Sequence, residues 1–137
     1  MPVFRATERE FCMGGRIVFE TSGSERLIME FLWKEGTEKS FVEIMEFLNN
    51  EAGKDWKKQT VNTFLKRLID KGLIAIRQRG RNRVYCAALT VDEYEQGCAK
   101  KLLDDHYNGS INAFLSALTG GGKIDKQFAD ELRKLVD

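Results

Sequence analysis

Residues 22–87 hold three short helical patterns followed at once by two strand-like runs around a glycine, and this order leaves few folds open. Ser22 and Glu25 form a capping box, and Leu27, Ile28, Phe31 and Leu32 follow at helical spacing until Gly36 supplies a left-handed stop. Ser40 and Glu43 repeat the box. Phe41, Ile44, Met45 and Leu48 then recur at helical spacing before the polar run Asn49 to Asp55. A third pattern carries Val61, Phe64, Leu65, Leu68 and Ile69 on one face, presents Gln59, Asn62, Thr63 and Lys66 on the other, and ends at Gly72. Leu73 to Gln78 is a β-prone run, Gly80, Arg81 and Asn82 a turn, and Arg83 to Ala87 a returning strand. Three short helices and a basic hairpin predict a winged helix-turn-helix.

Charge points to a partner for that fold. Between Lys54 and Cys86 lie ten basic residues against Asp55 and Asp70, a local net charge of +8 in a chain whose total is only +1. Solvated faces usually mix signs, so a single-sign block implies a polyanion, and double-stranded DNA is the expected partner. A helix fits the major groove, where the Gln59 and Asn62 amides can bond adenine bidentately and Thr63 offers a hydroxyl or a methyl. These three are the candidate base readers. Lys57, Lys58, Thr60, Lys66, Arg79, Arg81 and Arg83 are the candidate phosphate contacts, giving register and salt-sensitive affinity. The aliphatic stripes, with Trp33 and Trp56, read as core. A second reading from another class is a winged-helix module that docks an acidic protein through the same face.

The rest of the chain divides around this domain. Residues 1–21 sustain no period, although Phe11, Ile17, Val18 and Phe19 are apolar, and are expected to be an arm or extra strand. The winged helix covers 22–89. Residues 90–137 are read as a helical dimerisation domain, with a Thr90/Glu93 box opening a helix towards Tyr107, Ser110 opening another to Leu118, and Asp125 capping a last one. Short amphipathic helices cannot cover their own apolar faces, so Tyr94, Leu102, Leu103, Tyr107, Phe114, Leu118, Phe128, Leu132 and Leu135 are the candidate dimer contacts. The fold class is therefore mainly α with a small β-hairpin wing.

No apolar run approaches the roughly 20 residues that cross a bilayer, and the N-terminus lacks a signal-peptide pattern, so a cytoplasmic protein without a membrane partner is expected. Cys12, Cys86 and Cys98 are an odd count with no Cys-x-x-Cys pair, which implies neither a disulfide framework nor a zinc knuckle. Cys98 and His106 make half a metal site at best, so no metal is assigned. Gly120-Gly121-Gly122-Lys123 lacks the outer residues of a phosphate loop and reads as a connector. With one histidine and no nucleophile–base set or cofactor fingerprint, neither an enzyme nor a cofactor is expected.

Trp33-Lys34-Glu35-Gly36, Trp56 with Thr60-Val61-Asn62-Thr63, Arg67-Leu68 with Lys71-Gly72, Gly80-Arg81, Tyr85, Glu93-Tyr94, Leu102-Leu103, Gly109-Ser110 and Glu131-Leu132-Arg133 occur in the order seen in the penicillinase-repressor (BlaI/MecI/CopY) family. The chain resembles that family from about Ser22 to Asp137. The resemblance implies a bacterial transcriptional repressor, a homodimer through its C-terminal helices, each winged helix reading half of a palindrome usually built around TACA and TGTA. Departures are specific. Arg26 replaces the family's usual aromatic, and Lys57-Lys58 replaces the Ser-Pro that commonly opens the reading helix. Lys101-Leu102 stands where the β-lactam branch carries its scissile Asn-Phe, and the chain ends without the Cys-x-Cys pairs of the copper branch. The releasing signal is thus left open between a sensor protease, a small ligand and a redox change at Cys86 or Cys98.

Overall fold

The computed structural model describes residues 16–136; the apolar Phe11 and the thiol of Cys12 lie outside the described residues. The elements run α1 (Gly23–Glu35), β1 (Lys39–Ser40), α2 (Phe41–Glu46) prolonged by a π turn (Phe47–Glu51), α3 (Lys58–Asp70), β2 (Ile74–Arg79), β3 (Asn82–Ala87), α4 (Val91–Tyr107), α5 (Ile111–Leu118) and α6 (Lys126–Val136). Both serine capping boxes close as the sequence predicts. Ser22 and Ser40 accept from the amides of Glu25 and Glu43, whose carboxylates accept in return from the serine N–H groups. Gly36 ends α1 at φ 69°.

Two local features were not predicted. The second helix leaves α geometry at Phe47, and the wider turn carries the Phe47 ring onto Phe31 at 4.2 Å while Leu48 stays fully buried. Lys39 and Ser40 pair with Tyr85 and Val84, adding a strand outside the hairpin, so the sheet order is β1-β3-β2. The hairpin is also tighter than expected. Arg79 pairs directly with Asn82, leaving a two-residue loop in which Gly80 at φ 61° occupies the position that favours glycine. Asn82 therefore belongs to the strand.

The chain divides into two compact units, at Cys98 and Ala99 rather than near residue 90. The reason is the first two turns of α4. Tyr94 is 2% exposed, 5.4 Å from the Trp33 ring, and Arg26 donates to Glu95 at 3.0 Å, so this stretch packs with the N-terminal unit. Ile28, Met29, Leu32, Ile44, Leu48, Val61, Leu65, Leu68, Leu73, Ile74 and Leu89 form the centre of that core. Ile17 and Phe19 pack against it, so the end of the expected arm belongs to the same unit. In the second unit α5 and α6 contain no buried residue. Among the described residues no helix is long and apolar enough to cross a membrane.

Candidate nucleic-acid interface

The helix α3 is held on its inner face by Val61, Leu65, Leu68 and Ile69. Its start is fixed by a side chain that acts as a piece of strand: the Asn49 amide accepts from the Trp56 N–H at 2.8 Å and donates to the Trp56 carbonyl at 3.2 Å. The Trp56 ring rests on Phe64 at 5.1 Å. Both tryptophans are thus structural, Trp33 donating its indole N–H to the Leu89 carbonyl at 3.0 Å.

On the outer face Gln59, Asn62 and Thr63 are all exposed. Thr63 donates its hydroxyl to the Gln59 carbonyl at 2.9 Å, which leaves its methyl and its oxygen lone pairs for a ligand. Lys57 is the N-cap of α3, with φ −82° and ψ 160°, and no side chain caps the helix. Two lysines at an uncapped, positive helix end are locally unfavourable. An anion laid against that end reverses the sign of both effects.

The wing shows a division of labour. Both carboxylate oxygens of Glu38, whose side chain is 17% exposed, are held by arginines: Arg77 Nη1 at 3.0 Å and Arg79 Nη2 at 2.9 Å. Arg81 and Arg83 are exposed and, like Lys57 and Lys58, make no ion pair with a described residue. Lys66 is exposed and paired with Asp70 at 3.4 Å, and Thr60 is half-buried.

Lys71, counted in the basic block, faces inward. Its ammonium lies 2.6 Å from the buried carboxylate of Glu25 and 2.8 Å from the Glu20 carbonyl. Burial pushes the Glu25 carboxyl up, but hydrogen bonds from Lys71 and from the Ser22 N–H, with the charges of Lys71 and Arg67, bring it below its ordinary value. Sequence periodicity identified neither Glu25, Glu38 nor Asn49 as part of this face's support, because Lys71, Arg77 and Arg79 lie far from Glu25 and Glu38 in the chain and Trp56 pairs with Asn49 across a turn rather than at helical spacing.

The profile of the penicillinase repressor family matches residues 21–137. The chain belongs to the penicillinase repressor family. The penicillinase repressor of Bacillus licheniformis is 24% identical over 118 residues, covering 86% of this chain and 90% of its own. The methicillin resistance regulatory protein MecI of Staphylococcus aureus is 21% identical over 121 residues, covering 87% and 94%. Among solved structures, the DNA-binding domain of the repressor BlaI superposes with a TM-score of 0.50 at 26% identity, over 58% of this chain and 94% of that domain. For this family member the superposition agrees with the winged-helix architecture of α1 to β3.

The candidate dimer contacts and the cysteines fall in several places. Tyr94, expected at a dimer contact, is buried in the N-terminal unit's own core and offers no surface to a partner. In the second unit Leu102, Leu118 and Leu135 are 43%, 55% and 83% exposed. Leu103, Tyr107, Phe114, Phe128 and Leu132 are half-buried, with the Tyr107 and Phe114 rings edge to face at 5.5 Å. Cys86 is buried, and Cys98 donates its thiol to the Phe19 carbonyl at 3.6 Å. Among the described residues no group of three or more metal-ligating side chains comes together.

Proposed function

We propose that this member of the penicillinase repressor family is a transcriptional repressor that binds a palindromic DNA operator as a homodimer. Gln59, Asn62 and Thr63 read base edges from the outer face of α3, and Lys57, Lys58, Arg81 and Arg83 hold phosphates. Thr60, Lys66 and Arg79 are secondary candidates for phosphate contact, and Lys66 and Arg79 stay with Asp70 and Glu38 while those pairs are closed. The observation that carries the reading is the uncapped, doubly basic start of an exposed polar helix beside a wing whose outer arginines make no ion pair with a described residue. This arrangement is costly to the free protein and is offset by an anion.

The dimer is supported by the second unit, whose helices α5 and α6 contain no fully buried residue while Ile111, Leu118, Leu135 and Val136 stand 55–86% exposed. A unit this short cannot build a core alone, and a second copy supplies the missing surface. Release by cleavage at Lys101-Leu102 is not part of the proposal. That bond lies inside α4, where Lys101 also holds Asp105 at 2.6 Å, and a protease would need the helix to open first.

The test is a pair of substitutions. Asn62→Ala should cost about 1–3 kcal/mol on the operator and little on random DNA, whereas Arg81→Ala should weaken both alike. Equal losses for Asn62→Ala on both DNAs would remove it from the readers. An acidic-protein docking function would instead show no preference among DNA sequences for either variant.

A further inference from the structure

The residues just before the family domain form a bridge. The family match begins at residue 21, yet residues 16–20 are closely engaged with the N-terminal unit. At one end the Val18 N–H donates to the Lys71 carbonyl at 2.8 Å, and the Lys71 ammonium donates to the Glu20 carbonyl at 2.8 Å, so the segment is tied to the residue that ends α3. At the other end it lies on the first turns of α4. The Thr21 hydroxyl and the Tyr94 phenol are hydrogen-bonded at 3.0 Å, the Phe19 ring is 6.2 Å from the Tyr94 ring, and the Cys98 thiol donates to the Phe19 carbonyl. Phe19 sits directly against the backbone at Gly97, where any Cβ would overlap its ring.

One short segment therefore joins the end of the reading helix to the start of the helix that leads into the C-terminal unit. We infer that residues 16–21 are a positioning strap that sets the half-site separation the dimer accepts. The inference rests on the dimeric, operator-reading function proposed above. Such a strap acts through effective concentration. When two reading helices are joined through a stiff connection, the second half-site is bound strongly only if its separation matches the connection, whereas a loose connection spreads the same concentration over many separations. The strap acts through α3 and α4 and touches no DNA itself.

The experiment uses the full chain and duplexes carrying an inverted TACA/TGTA repeat, with half-site separation varied in single base pairs, together with a duplex carrying one copy. Phe19→Ala and Gly97→Ala attack the same contact from opposite sides, and Phe19→Leu, which keeps an apolar side chain over Gly97, is the conservative control. The unaltered protein should favour one separation. Both alanine variants should lower that preference by about fivefold or more, the low end of coupling between sites, while single-copy affinity stays within about twofold and Phe19→Leu keeps most of the preference. Variants that retain the native preference, or that lose single-copy affinity by the same factor, would overturn the strap. If Phe19→Ala does not fold, Gly97→Ala with Phe19→Leu decides the question alone. An unaltered protein that binds every separation and the single copy alike would overturn the dimeric reading itself, and the strap with it.

Discussion

Lys57→Ser separates what the start of α3 does for the fold from what it does for DNA. Ser22 and Ser40 cap α1 and α2 from backbone angles of −74°, 169° and −76°, 166°, and Lys57 already holds −82°, 160°. A serine there needs no backbone movement to accept from the Thr60 N–H. Supplying the cap contributes about 0.5–2 kcal/mol, and withdrawing a cation from the positive helix end about 0.3–1 kcal/mol more. At about 4–8 °C per kcal/mol for a domain of about 60–100 residues, the N-terminal unit should melt roughly 3–24 °C higher. DNA binding should move the other way. Each lost phosphate contact lowers the slope of log K against log salt by about 0.9 and costs about fivefold at roughly 0.15 M salt, twice over in a dimer. Thermal unfolding by circular dichroism and anisotropy titrations at four salt concentrations read both effects. A variant that is stabilised but binds DNA with unchanged slope would remove Lys57 from the phosphate contacts. A variant that is not stabilised would show that the helix end needs no cap.

Glu38→Gln should release Arg79 to the phosphate backbone, tightening binding to random DNA and steepening its salt dependence by up to about 0.9 per subunit; unchanged random-DNA affinity in an anisotropy titration would refute the clamp. Leu135→Glu, at a position 83% exposed, should convert a dimer to a monomer in sedimentation without changing the melting of the N-terminal unit, and a dimer that survives would move the interface elsewhere on the second unit. Glu25→Gln should destabilise the N-terminal unit by about 3 kcal/mol, the low end for breaking a buried pair, since Lys71 keeps its bond to the Glu20 carbonyl. Because the folded carboxyl of Glu25 titrates below its ordinary value of 4.5, its stabilisation is full above that pH and is lost as pH falls through the lower folded value. Denaturant melts at decreasing pH should therefore converge for the unaltered and Glu25→Gln proteins, and a constant gap would contradict this.

The parts of the fold that were legible in the sequence are those whose causes lie within four residues. Each Ser/Thr-x-x-Glu box, at Ser22, Ser40 and Thr90, closes on itself, so residue identity alone locates the helix start. The strand β1 is two residues long and exists only because β3 passes beside it, which no local pattern records. Tyr94 shows the same limit in the core. An aromatic on an amphipathic helix carries the same signal whether it faces its own domain or a partner, and here Trp33, Phe19 and Arg26 claim it. That is also why the division of the chain moves from residue 90 to Cys98.

Charge density was legible, but not the charge left available. The acids that neutralise or divert the basic block lie outside it: Glu25 faces Lys71, and Glu38 faces Arg77 and Arg79. Within it, among the described residues, only Asp70 pairs, with Lys66. What remains without an ion partner among the described residues at the start of α3 and the wing tip is Lys57, Lys58, Arg81 and Arg83, while Arg67, also without one, lies in the last turn of that helix. Four phosphates neutralised per subunit, at about 0.9 each, give a dimer a slope of log K against log salt near about −7. If DNA instead pulled the arginines from Glu38 and recruited the rest of the block, the slope would pass about −12, and a slope shallower than about −2 would exclude the basic face altogether. The same titration on Glu38→Gln distinguishes the first two cases. A protein already engaging Arg79 gains nothing from losing its carboxylate partner, whereas one that leaves the clamp closed becomes more salt-sensitive.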